Sequence, residues 1–194
     1  MNSKIVAIAS STGGPRALHT VMEGIPQGLE VPILIVQHMP HGFTASLADR
    51  LNDVCGIHVK EAEEGEVIKN GTVYLSMGGL HMTVKREKGS GRHVIRYQDG
   101  PTREGVKPCA NFMFESLVDC GYEQVICAVL TGMGADGTEG VAALKKARPN
   151  TYVIAQNKET STVYGMPKNI VQHGLSDIEV PLEHVAQEIV HRVN

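Results

Sequence analysis

The amino-acid sequence predicts an α/β fold: a doubly wound, mostly parallel sheet in three α/β/α layers, with an antiparallel hairpin element. Two observations carry that expectation. Short β-branched apolar runs alternate along the chain with segments of helical periodicity, the pattern of strands covered on both faces by helices. Midway, the alternation gives way to shorter runs separated by Lys69-Asn70-Gly71 and Lys88-Gly89-Ser90-Gly91, which is hairpin-type turn chemistry.

Taken in order, residues 5–9, 31–37, 125–130 and 152–155 read as buried strands, because each is a nearly unbroken apolar run. Helical patterns over 16–22, 44–51 and 140–147 follow the first three. The last helix has the clearest stripe, with Leu182, Val185, Ala186, Ile189, Val190 and Val193 recurring on one face. In the middle, 67–68, 73–75, 82–84 and 93–97 read as an antiparallel meander inserted in the parallel sheet or added at its edge. No internal repeat or linker-like break divides the chain, so one domain is expected over residues 1–194.

The composition narrows the function classes. The 194 residues carry 42% hydrophobic residues and a net charge of −3, which suits one globular core and gives no basic footprint for nucleic acid. The four cysteines contain no C-x-x-C pair, so reduced, buried thiols are expected. The first apolar run ends too early for a signal-peptide core, and no stretch approaches a membrane span. A cytoplasmic location without membrane insertion is the expectation.

In a parallel sheet, chemistry gathers at the carboxyl ends of the strands. Three of the buried runs end in polar, glycine-containing turns: Ser10-Ser11-Thr12-Gly13-Gly14-Pro15, Gln37-His38-Met39-Pro40, and Thr131-Gly132-Met133-Gly134-Ala135-Asp136-Gly137. A hydroxyl, an imidazole and a carboxylate on three strand ends have the composition of a nucleophile, base and orienting acid. The first turn lacks G-x-G-x-x-G and the P-loop Gly-Lys-Ser/Thr, which argues against dinucleotide or nucleotide binding. It also lacks the G-x-S-x-G elbow, so taken alone it equally suits a helix-capping serine. His38 and His41 form an H-x-x-H pair, but Pro40 between them opposes helical ligand geometry, and no metal site is expected. His184 and His191 on the last helix are expected to face solvent. Asp136 alone also suits a plain turn aspartate, though Gly134 and Gly137 beside it allow a tight bend that aims the carboxylate.

Read together, Ala9-Ser10-Ser11-Thr12-Gly13-Gly14-Pro15, Val36-Gln37-His38-Met39-Pro40-His41-Gly42-Phe43-Thr44 and Leu130-Thr131-Gly132-Met133-Gly134-Ala135-Asp136-Gly137 resemble the signature segments of the chemotaxis receptor protein-glutamate methylesterase (CheB-type) catalytic domain. The likeness continues through Gly71-Thr72-Val73-Tyr74-Leu75, Gly78-Gly79-Leu80-His81-Met82 and Thr160-Ser161-Thr162-Val163-Tyr164-Gly165-Met166-Pro167. It implies a Rossmann-like fold and a serine hydrolase that needs no cofactor. Ser11 matches the nucleophile, His38 the general base and Asp136 its orienting residue. The Met133 N–H and Thr12 match positions that line the site and face the oxyanion. The implied substrate is a γ-glutamyl methyl ester on the cytoplasmic helices of a chemoreceptor, with glutamine deamidation as a second activity.

The chain departs from the family pattern in three places. Ser10 stands where alanine is usual, and the segment His-Arg-Pro-Ser-Val-Asp is Val106-Lys107-Pro108-Cys109-Ala110-Asn111 here, a change expected to leave the triad untouched. The phosphate-accepting receiver domain with which family members commonly begin is absent from this chain, which is then either an excised catalytic domain or a stand-alone form, with a receiver domain in a longer chain or in trans left open. The competing reading is a repurposed, non-catalytic domain that binds receptor helices.

Overall fold

The computed structural model describes residues 3–194. Its centre is a seven-stranded sheet of β1 (Lys4–Ser10), β2 (Ile33–Gln37), β3 (His58–Glu61), β4 (Thr72–Leu75), β7 (Gln124–Val129), β8 (Tyr152–Gln156) and β9 (Ile178–Val180). The order is β3-β4-β2-β1-β7-β8-β9, and every neighbouring pair is parallel. A separate antiparallel pair is formed by β5 (His81–Arg86) and β6 (His93–Gln98).

Strand alternation feeds two cores from one sheet. Along β1, Ile5, Ala7 and Ala9 enter one apolar cluster, while Val6 and Ile8 enter the other. The first cluster is closed by α3 (Ala110–Ser116), α4 (Thr138–Ala147) and α5 (Met166–Gln172), through Met113, Phe114, Val141, Leu144 and Ile170. The second is closed by α1 (Gly14–Glu23), α2 (Thr44–Asn52) and α6 (Leu182–Val193), through Leu18, Met22, Leu47, Leu51, Val185 and Ile189. The expected three-layer, doubly wound α/β architecture is therefore present, with the hairpin packed on the first face through Met82, Val84 and Ile95.

The expected meander is smaller than four strands. Val73, Tyr74 and Leu75 belong to β4, which is flanked on both sides by parallel partners and buried. Burial on both faces removes the polar alternation that an antiparallel surface strand shows, so the short run resembled a hairpin arm only because of the adjoining Lys69-Asn70-Gly71 turn. Residues 67–68 form no strand; Val67 makes an isolated antiparallel bridge to Val94, and the Ile68 N–H donates to the His93 carbonyl at 2.8 Å. Strand β3, with His58 exposed at the sheet edge, carries too little apolar patterning to stand out.

Histidines 184 and 191 face solvent as expected. Cys109, Cys120 and Cys127 are buried and free, whereas Cys55 is only half-buried. Among the described residues, no helix is long and apolar enough to cross a membrane.

Candidate active site

The strand order sets the site. β1 lies between β2 and β7, with Ser10 opposite Gln37 and Ala9 opposite Val129. The carboxyl ends of adjacent parallel strands are separated by about 4.8 Å per step, so the turns that follow β2, β1 and β7 stand side by side. This is also where the sheet order reverses direction, the crevice that open α/β sheets use for ligands. Ser11, His38 and the 131–137 loop are thereby gathered on one rim.

The turn that carries Ser11 is held from its flanks. The Ser11 N–H donates to the Thr131 carbonyl at 2.9 Å, and the Gly14 N–H donates to the Ser11 carbonyl at 2.7 Å. Gly13 takes φ of 79° at the cap of α1, a left-handed conformation that glycine adopts without a Cβ penalty. The opposing Gly132 is equally constrained, because a Cβ there would come within 2.8 Å of Ser11 Cβ and overlap the Met166 sulfur.

His38 Nε2 lies 2.6 Å from Asp136 Oδ2. An ionised carboxylate only accepts, so Nε2 carries the proton and the Nδ1 lone pair is free. His38 Nδ1 is buried without a hydrogen-bond partner among the described residues, an acceptor left open for a hydroxyl or water proton. No hydrogen bond joins it to Ser11 Oγ among the described residues.

Asp136 is 1% exposed, yet well solvated by protein. It accepts from His38, from Ala110 N at 2.6 Å, from Asn111 N at 3.0 Å and from Cys109 Sγ at 3.0 Å. Burial pushes its carboxyl up, but the donors from His38, Ala110 and Cys109 outweigh it and hold the group below its ordinary range. Conversely, burial first and then the Asp136 charge push the Cys109 thiol up to about 12. Cys109 is therefore a protonated donor rather than a competing thiolate nucleophile.

This arrangement refines one expectation. The changed segment 106–111 reaches Asp136 through one side chain, the Cys109 thiol, and otherwise through the backbone N–H groups of Ala110 and Asn111, which any residue there supplies. Proximity in space, invisible in the linear sequence, made the difference: Asp136 sits at the open first turn of α3, whose N-cap Cys109 makes no side-chain cap of its own. Asn111 returns the favour to α4, its Oδ1 accepting from Gly137 N at 3.1 Å and Gly140 N at 2.8 Å.

The two expected lining positions lie on the exposed rim. Thr12 is exposed and Met133 is 74% exposed. Neither the Thr12 nor the Met133 N–H has an acceptor among the described residues. Free donors beside a candidate nucleophile are the raw material of an oxyanion hole. Gln37, which stands out in the sequence only as part of a motif, is buried between the Ser11 and His38 turns. A polar residue closing an apolar strand was the one signal for it. His41 Nδ1 faces the Gly78 carbonyl at 3.3 Å. No group of three or more metal-ligating side chains occurs among the described residues.

Comparison with known proteins agrees with this architecture. The CheB methylesterase family model matches residues 6–189. A Geobacillus kaustophilus protein-glutamate methylesterase/protein-glutamine glutaminase is 46% identical over 97% of this chain and 53% of its own length. The Oceanobacillus iheyensis protein of the same name is 44% identical, again over 97% and 53%. The chain thus spans about half the length of these curated relatives. The crystal structure of the Thermotoga maritima CheB methylesterase catalytic domain superposes with a TM-score of 0.92 at 38% identity, covering 98% of this chain and 99% of that one. With nearly its whole length matched by the family model and its fold shared with a solved member, this chain belongs to the CheB methylesterase family.

Proposed function

We propose that this chain is a single methylesterase catalytic domain that hydrolyses γ-glutamyl methyl esters on chemoreceptor helices, with glutamine deamidation as a second activity of the same site. The observation that carries the reading is the 2.6 Å His38–Asp136 pair, with an unpartnered His38 Nδ1, on the rim that also bears Ser11. The names of the relatives supply the substrate class.

The chemistry follows from the geometry. His38 Nδ1 takes the Ser11 proton as Oγ bonds to the ester carbonyl carbon. Asp136 fixes the Nε2–H tautomer and stabilises the imidazolium. The free N–H groups of Thr12 and Met133 receive the negative oxygen. The C–O bond to the methoxy group then breaks, the imidazolium proton leaves with it as methanol, and Ser11 is acylated. Water, deprotonated by His38, attacks the acyl carbon and releases glutamate with Ser11 restored. With an amide substrate, ammonia leaves in place of methanol. A receiver domain, in a longer chain or in trans, is the regulatory partner under this reading.

The test is methanol release from a methylated receptor fragment by the purified chain. Ser11→Ala is expected to remain folded and to lose at least about 10⁴-fold in kcat. Near-wild-type turnover in Ser11→Ala would overturn the nucleophile. Tight fragment binding without methanol release would favour the non-catalytic, helix-binding alternative.

A further inference from the structure

We propose, on the basis of the serine-hydrolase reading above, that Gln37 is a positioning residue whose carboxamide aims the Thr12 N–H into the oxyanion site and ties the nucleophile turn to the base. Gln37 closes β2, is 2% exposed, and has both polar atoms of its side chain engaged. Its Oε1 accepts from Ser10 Oγ at 2.6 Å. Its Nε2 donates to the Ser11 carbonyl at 2.9 Å and to the His38 carbonyl at 3.1 Å. One planar amide thus bonds the backbone of both candidate catalytic residues.

The Ser11 contact matters most. In a trans peptide, the C=O of one residue and the N–H of the next point in opposite directions. Holding the Ser11 carbonyl inward, on the buried glutamine, turns the Thr12 N–H outward to the exposed rim. The Gly14 N–H reinforces the same carbonyl at 2.7 Å. If this peptide plane rotated, the Thr12 N–H would leave the site although no side chain had been removed. Gly14 preserves the arrangement, since a Cβ at that position would overlap Gln37 Oε1.

Only a primary amide combines one acceptor with two N–H donors here. Gln37→Met keeps the volume and removes the donors. Gln37→Glu keeps the shape and donates only when its carboxyl is protonated, a state that burial favours. The experiment measures methanol release, the rate at which a fluorophosphonate probe reacts with Ser11, and thermal unfolding. In Gln37→Met, kcat and the phosphonylation rate are expected to fall roughly 10²-fold, the scale of losing one oxyanion donor, with KM within about threefold of wild type. In Gln37→Glu, kcat relative to wild type is expected to rise as pH falls, a recovery that Gln37→Met lacks.

A folded Gln37→Met with kcat within about threefold of wild type would overturn the proposal. So would a Gln37→Glu loss that is flat with pH, and that arm stands even if Gln37→Met fails to fold. A wild-type chain that neither releases methanol nor reacts with the probe would overturn the serine-hydrolase reading itself, and this proposal with it.

Discussion

Asp136 shows how a single buried carboxylate links folding to the proposed chemistry. Its donors come from His38 and from the start of α3, so neutralising it disturbs both. Asp136→Asn is expected to lower kcat strongly, on the order of 10⁴-fold, because an amide favours the wrong histidine tautomer and offers no countercharge. Because the folded carboxyl is held below its ordinary range, its contribution to stability is fully present above the unfolded aspartate pKa of about 3.9. It disappears as pH falls through the lower folded value. The stability gap between wild type and Asp136→Asn, measured by urea unfolding, should therefore shrink in acid below about pH 4; a gap constant down to pH 2 would refute the assignment. Cys109 offers a finer probe. Cys109→Ser keeps a donor to Asp136 Oδ1 and should retain activity within a few-fold, whereas Cys109→Ala removes it and should lower kcat further. Equal activity in the two variants would show that the 3.0 Å thiol contact does not position the acid.

At the scale of elements, α3 and α4 cap each other. Asp136, just before α4, accepts the first N–H groups of α3, and Asn111 in the first turn of α3 accepts the N–H groups of Gly137 and Gly140. Neither helix has a capping side chain at its own N-cap. Asn111→Ala leaves two buried N–H groups unpaired, at a cost of about 1–3 kcal/mol each. It should lower the thermal midpoint and, by loosening Asp136, lower kcat as well; a full loss of stability with unchanged kcat would separate the cap from the site. This coupling is what the sequence could not display. The strands at 5–9, 31–37, 125–130 and 152–155 were legible because unbroken apolar runs are distinctive. The placing of Ser11, His38 and Asp136 beyond strand ends is legible because each follows such a run. The roles of Cys109 and Asn111 were not, since their partners lie 25 or more residues away. The short α3, α5, β3 and β9 also lack a full period of patterning, and β4 reads as a hairpin arm because a turn signal adjoins a run too short to reveal its parallel pairing.

For the whole molecule, the decisive feature is that both cores share one set of strands. Side chains of β1 and β7 alternate between the two clusters, so neither helical layer can be removed without exposing the sheet that the other covers. The β5–β6 pair is outside the sheet's hydrogen-bond ladder, and would be the natural place for independent unfolding. Its attachments argue otherwise. Met82, Val84 and Ile95 are buried in the first core. The Val84 N–H donates to Ser116 Oγ at 2.9 Å, and Tyr97 bridges to the main sheet's loops by donating to the Ala62 carbonyl at 3.0 Å and accepting from Met77 N at 2.8 Å. Burial pushes the Tyr97 hydroxyl up to about 12, so it keeps the proton that it donates to the Ala62 carbonyl well into alkaline pH. One cooperative transition is therefore expected for the 194-residue chain. In urea, far-UV circular dichroism, tyrosine fluorescence (the sequence has five tyrosines and no tryptophan) and Ser11 labelling by a fluorophosphonate should share one midpoint. Native-state hydrogen exchange should give the amides of β5 and β6 an opening free energy close to that of β1. Early exchange of β5 and β6 while β1 remains protected would show that the hairpin is a separate cooperative unit, and that the site rests on the parallel sheet alone.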